Sequence, residues 1–174
     1  MGFERTPRML ASKARAELAE LEAQGVVTKG NAFSSVLIVK GEMGEAELRG
    51  EGLLSGADGV ALRAALAKLG YAPEDWCALA CWRNDGGFLT PDQMRLALAT
   101  LDPATVIACD SAAQALLCDA LSGGLLSLEA GRVNMLHGIR VLCLGGFEAA
   151  LASMPSKQLM WARLKQIPPL GEPY

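Results

Sequence analysis

The stretch that decides the fold is Ser35-Val36-Leu37-Ile38-Val39-Lys40-Gly41-Glu42-Met43-Gly44-Glu45-Ala46-Glu47. Its first half is a short apolar run without alternation, the pattern of a strand buried on both faces. Its second half is a polar loop, and Gly41 and Gly44 permit backbone conformations or close approaches that other residues resist. A strand that empties into such a loop is the place where a parallel α/β sheet binds its ligands. Glu42 and Glu47 are therefore the candidate acid/base residues, with a solvated loop as the plainer explanation of the same carboxylates.

Working outward, three more runs have the same character. Trp76 to Trp82 is apolar and ends in Arg83-Asn84-Asp85-Gly86-Gly87; Thr105 to Cys109 ends in Asp110-Ser111; Ile139 to Leu144 ends in Gly145-Gly146. Helical patterns separate them. Residues 7–24 open on Pro7 and carry Leu10, Ala14, Leu18 and Leu21 at helical spacing; a second helix runs from about Ala57 to Leu69 and stops at Gly70. Thr90-Pro91-Asp92-Gln93 has the form of a capping box with proline in the first position, opening a helix to about Leu101. Asp110-Ser111 caps a helix from Ala112 to Leu121, and a last helix covers about Ser156 to Gln166. Val26 to Phe33 reads as a lead-in to the first strand, and residues 122–138 carry no firm pattern beyond a small hairpin or irregular excursion.

This alternation predicts a single α/β domain over residues 1–174, a three-layer α/β/α sandwich with a four-stranded, mainly parallel central sheet. The best pocket it offers is the convergence of strand ends: Lys40, Gly41 and Gly44 with Arg83, Asn84, Ser111, Gly145 and Gly146. Lys40, Arg83, Asn84 and the helix N-terminus at Ser111 are the groups suited to phosphate or polar ligand contacts.

Composition narrows the function classes. At 174 residues, 51% hydrophobic and 20% charged, the chain is long enough to bury a core without staples. A net charge of −3 lacks the basic footprint of a dedicated nucleic-acid binder. No apolar run reaches the roughly 20 residues of a membrane span, and Arg5, Arg8, Lys13 and Arg15 interrupt the N-terminus, so a cytoplasmic protein without membrane contact is expected. Five cysteines, Cys77, Cys81, Cys109, Cys118 and Cys143, without a close CxxC pair, read as small thiols, four of them in buried runs, rather than as a disulfide or metal framework. No metal or other cofactor is expected.

The order of these pieces resembles the uracil-DNA glycosylase superfamily over about residues 33–166, in particular the branch that carries an iron-sulfur cluster. The clearest likeness is Asp102-Pro103-Ala104-Thr105-Val106-Ile107-Ala108-Cys109-Asp110-Ser111-Ala112-Ala113-Gln114-Ala115-Leu116-Leu117, similar to that branch's Pro-x-x-Ile/Val-x-Ala-Leu-Gly-x-x-Ala-Ala-x-x-Leu-Leu stretch. Thr90-Pro91-Asp92-Gln93, Gly56-Ala57-Asp58-Gly59, and Lys157 with Trp161 and Leu164 add smaller likenesses. The chemical motifs depart from the family. In its Gly-Glu-x-Pro-Gly-x-x-Glu motif, an ungapped alignment keeps Gly44 and Glu47, and a one-residue gap keeps Gly41-Glu42 instead. The aromatic residue that stacks on an extruded base falls near Leu53 or Leu54, the base-reading asparagine at Cys77, and the charge-stabilising histidine at Gly146. The only histidine, His137, precedes the fourth strand and reads as a turn or surface residue. Of the cluster's cysteine ligands only Cys81 aligns, which cannot hold a cluster alone.

The resemblance therefore implies a divergent uracil-DNA glycosylase-like protein with impaired or absent uracil excision, whose cleft binds a nucleobase or single-stranded nucleic acid. Two other readings stand beside it: an active glycosylase or other N-glycosidic hydrolase acting on a different base, with Glu42 or Glu47 positioning water, and a non-catalytic protein-interaction module using Met154, Met160 and Trp161.

Overall fold

The computed structural model describes residues 7–168. A six-stranded sheet runs through it, built from β1 (Val26–Gly30), β2 (Val36–Lys40), β3 (Cys77–Arg83), β4 (Thr105–Ala108), β5 (Val133–Leu136) and β6 (Ile139–Cys143) in the order β1-β3-β2-β4-β6-β5. The four central strands, β3-β2-β4-β6, are mutually parallel, and β1 and β5 are antiparallel to their neighbours. The expectation of a four-stranded, mainly parallel sheet is thus corrected to a six-stranded mixed one. The two added strands escaped notice for a common reason. They are edge strands, half exposed, and lack the continuous apolar run that burial on both faces imposes. Residues 122–138 contain β5, joined to β6 by a two-residue turn, His137-Gly138, with both residues at positive φ (50° and 77°). His137 sits exposed in that turn, its Nε2 2.7 Å from the Leu121 carbonyl oxygen.

Seven helices are described: α1 (Pro7–Ala23), α2 (Glu45–Leu48), α3 (Ala57–Lys68), α4 (Pro91–Leu101), α5 (Ser111–Ser122), α6 (Phe147–Ala150) and α7 (Met154–Leu164). The predicted cap of α4 forms: Gln93 N–H donates to Thr90 Oγ1 at 3.2 Å and Thr90 N–H donates to Gln93 Oε1 at 3.0 Å. The last helix starts two residues earlier than expected because Ser153 is its cap, accepting from Ser156 N–H, and Pro155 falls inside the first turn.

Side chains alternate across each central strand, so each face of the sheet carries its own core. Leu37, Val39, Leu79, Val106 and Val141 pack with Leu21, Met94, Leu98 and Leu117 from α1, α4 and α5. Val36, Ile38, Ala80, Ile107 and Leu142 pack with Leu62 and Leu66 of α3, Phe147 of α6 and Met160 of α7. This alternation places the site. Continuing the period of two from Val36 and Ile38 puts Lys40 on the α3/α6 side and turns Gly41 toward α5. Among the described residues no helix is long and apolar enough to cross a membrane.

Candidate functional site

At the carboxyl ends of β2, β4 and β6 lies a cleft of about 400 Å³, bounded by Lys40, Glu42 to Glu45, Leu48, Asp58, Cys109, Asp110 and Gly146 to Ala149. Its floor is Lys40, buried to 2% exposure. The Lys40 ammonium lies 2.6 Å from Asp58 Oδ2, 2.8 Å from Glu47 Oε1 and 3.1 Å from Glu148 Oε2. Its three N–H donors therefore face three carboxylates. Asp58 and Glu47 are as buried as the lysine, whereas Glu148 is 41% exposed and forms part of the cleft wall. Burial alone disfavours the ammonium, but the hydrogen bonds to Asp58 and Glu47 and the Asp58 charge outweigh it, and Lys40 is held well above the usual lysine range.

Glu47 is saturated. Oε1 accepts from Lys40 and from Leu54 N–H at 3.0 Å, and Oε2 accepts from Gly44 N–H at 2.9 Å. Burial pushes its carboxyl up, yet the Lys40 hydrogen bond and the Leu54 amide prevail and hold it below the ordinary glutamate value. A carboxylate so fixed is a structural anion, poorly placed to act as the water-positioning base expected from sequence. Glu42 is different: it is exposed on the cleft wall, with its backbone rather than its side chain tied down.

Asp110 performs the tying. Its Oδ2 accepts from Gly41 N–H and Glu42 N–H, both at 3.0 Å, and its Oδ1 accepts from Ala113 N–H at 2.9 Å as the cap of α5. The loop approaches so closely that a Cβ on Gly41 would stand 2.4 Å from both Ala113 N and Asp110 Oδ1. At Gly44 a Cβ would stand 2.2 Å from a Glu148 carboxylate oxygen, the far end of a flexible side chain that can move aside.

Gly146, with φ 107°, stands where the resemblance sets a histidine, and its N–H is not free to take that histidine's place. Gly146 N–H and Phe147 N–H both donate to the Cys109 carbonyl, at 3.0 and 2.9 Å. With Gly41, Glu42 and Gly44 also engaged, five main-chain donors around the cleft are internally satisfied.

The structure brings Lys40, Glu42, Gly44 and Gly146 to one cleft, sets Gly41 behind it against Asp110 and α5, and leaves other candidates outside it. Gly145 is exposed beside Arg163 and Ala130, away from the lining. Ser111 is exposed in the first turn of α5, whose amino end is already occupied by Asp110. Arg83 and Asn84 belong to a reversal toward the sheet edge: Arg83 N–H donates to Gly87 O at 2.7 Å, Arg83 Nε pairs with Asp85, and Asn84 N–H donates to Gly25 O at 2.9 Å. Cys77 begins β3, pairing with Leu37 at the amino end of the parallel sheet, and its buried thiol is pushed up to about 11. Leu54 is 1% exposed; it packs against α3 rather than facing the cleft, with φ 54° and its carbonyl over Gly59.

Sequence reasoning missed Asp58 and Glu148. Asp58 stands out in the sequence only within Gly56-Ala57-Asp58-Gly59, and nothing in the sequence singles out Glu148. With them the cleft wall carries, among the described residues, five carboxylates, Glu42, Glu45, Asp58, Asp110 and Glu148, against the single cation Lys40. Met43 and Leu48, both well exposed, add apolar edges. Such a cleft repels phosphate and accepts hydrogen bonds from N–H or O–H groups of a neutral or cationic ligand with a flat apolar face. Among the described residues no group of three or more His, Cys, Asp or Glu side chains is arranged to hold a metal ion. In comparisons with known proteins, the chain matches no family model and no curated protein.

Proposed function

We propose that the chain is a uracil-DNA glycosylase-like protein that has lost uracil excision and keeps its cleft as a binding site for a nucleobase or nucleoside. The observation that carries this reading is the commitment of the polar groups at the strand ends: Lys40 holds Asp58, Glu47 and Glu148, while Gly146 N–H and Phe147 N–H are spent on Cys109. Uracil leaves a sugar as an anion, and a catalyst must meet that developing charge with preorganised donors. Here the acceptors outnumber the free donors, so the leaving group finds carboxylates where it needs N–H groups. A base or nucleoside with exocyclic amino donors fits the same lining, and a phosphate-bearing strand fits it poorly.

Base release from a uracil-containing labelled oligonucleotide tests the loss of excision, and titration calorimetry with free cytidine, adenosine and uridine tests the binding. No release above the spontaneous rate, with cytidine or adenosine bound more tightly than uridine, is the expected outcome. Release of uracil would overturn the loss of excision, and release of a different, modified base that disappears in Glu42→Gln would establish the competing hydrolase reading, because Glu42 is the exposed candidate acid on the cleft wall.

A further inference from the structure

On the far side of α6 from the cleft, α3 and α7 leave an open groove of about 610 Å³. Its floor and walls are apolar: Val60, Ala61 and Ala64 from α3, Leu151, and Met160 and Trp161 from α7. Val60, on the outward side of α3, is 60% exposed and continues the apolar wall into solvent. Among the described residues, the charges that line the groove are all of one sign. Lys68 and Lys157 line it, and Lys68 and Lys165 stand over the Trp161 ring at 5.7 and 6.0 Å. None of these three lysines forms an ion pair among the described residues. The carboxylates of α3 and α6, Asp58 and Glu148, are turned away onto Lys40, and α7 contains none. A chain of net charge −3 thus presents one face where apolar surface is framed by uncompensated cations.

We propose that this groove docks an acidic amphipathic helix of a partner protein, its apolar face laid between α3 and α7 and its Asp or Glu side chains reaching Lys68, Lys157 and Lys165. The small residues of α3 let a third helix come close, and Trp161 is an aromatic anchor between two cations. The length matches as well: the 12 residues of α3 span about 18 Å, which a partner helix covers in a little over three turns. Charge complementarity selects this occupant over a second copy of the chain, whose matching face would bring lysines against lysines. The inference stands apart from the reading of the cleft.

The test uses two fluorescein-labelled helical peptides with the same leucine pattern, one with Glu and one with Lys at the remaining positions. Fluorescence anisotropy with the full chain is expected to show the Glu peptide binding at least about tenfold more tightly than the Lys peptide, with affinity falling as salt rises. Lys68→Glu/Lys157→Glu, at two exposed positions, is expected to reverse that order while circular dichroism stays unchanged. Equal binding of both peptides, or no binding of either, overturns the proposal. So does tight binding of a labelled single-stranded oligonucleotide that is lost in the same double variant, because the lysines would then serve phosphates.

Discussion

Replacing Lys40 by Met removes the ammonium and leaves most of the side-chain volume in place. Asp58 and Glu47, at 2–3% side-chain exposure, then remain buried without a cation, while Glu148, at 41%, can turn to water. Breaking a buried ion pair from one side costs about 3–5 kcal/mol. The exposed Glu148 contact adds at most about 1 kcal/mol. A loss near 4 kcal/mol at neutral pH corresponds to about three orders of magnitude in the folded-to-unfolded ratio. The pH dependence gives the sharper signature. In the native chain Glu47 is depressed, so its contribution is complete above about pH 4.3 and is lost as pH falls through its folded value. Lys40 is raised, so its contribution is complete below about pH 10.4 and is lost only as pH rises through its folded value. In Lys40→Met the abandoned Glu47 carboxyl rises instead, and stability is regained as pH falls from 7 toward about 4.5. Urea denaturation followed by tryptophan fluorescence across that range measures both slopes. A neutral-pH loss below about 1 kcal/mol, with parallel pH profiles for variant and native chain, would refute the buried-cluster argument.

Other consequences can be checked as directly. Glu148→Gln leaves Lys40 with its two buried partners and is expected to cost no more than about 1 kcal/mol in the same urea experiment. Gly59→Ala would place a Cβ 1.9 Å from the Leu54 carbonyl oxygen, a backbone atom that cannot step aside, and is expected to lose about 3 kcal/mol or more. In thiol titration at mildly alkaline pH, the partly exposed Cys118 should react first. Cys77, Cys81 and Cys143, which burial pushes up to about 11, 12 and 11, should react only after denaturant is added.

The four central strands were legible because burial on both faces leaves an unbroken apolar run, as in Val36 to Val39 and Cys77 to Trp82. β1 and β5 were not, because an edge strand such as Val-Val-Thr-Lys-Gly alternates exposure and looks like a loop with two valines. Capping chemistry was readable residue by residue at Thr90 and Asp110, since a cap is local. The ion cluster is the opposite case. Lys40, Asp58 and Glu148 meet from 18 and 108 positions apart, and no spacing rule connects them. A usable hint did exist: Lys40 continues the Val36 and Ile38 face of a fully buried strand, where a charge needs a partner. Gly146 illustrates a second limit. Sequence shows that a glycine has an N–H to give but not that Cys109 already accepts it.

The commitments of the Lys40 cluster also govern motion. Residues 41–54, rich in glycine and charge, have the composition of a wandering loop, yet the amides of Gly41, Glu42, Gly44 and Leu54 each end on a carboxylate that is itself pinned. Opening at Gly44 or Leu54 means releasing the buried Glu47 anion, and opening at Gly41 or Glu42 means breaking the Asp110 cap of α5, so local fluctuations of this segment are costly. Amide hydrogen exchange at these four positions should accordingly follow global unfolding rather than loop fraying. A ligand arriving at such a cleft finds it preorganised: there is little ordering entropy left to spend, and recognition is decided by shape and hydrogen-bond polarity rather than by closure around the guest.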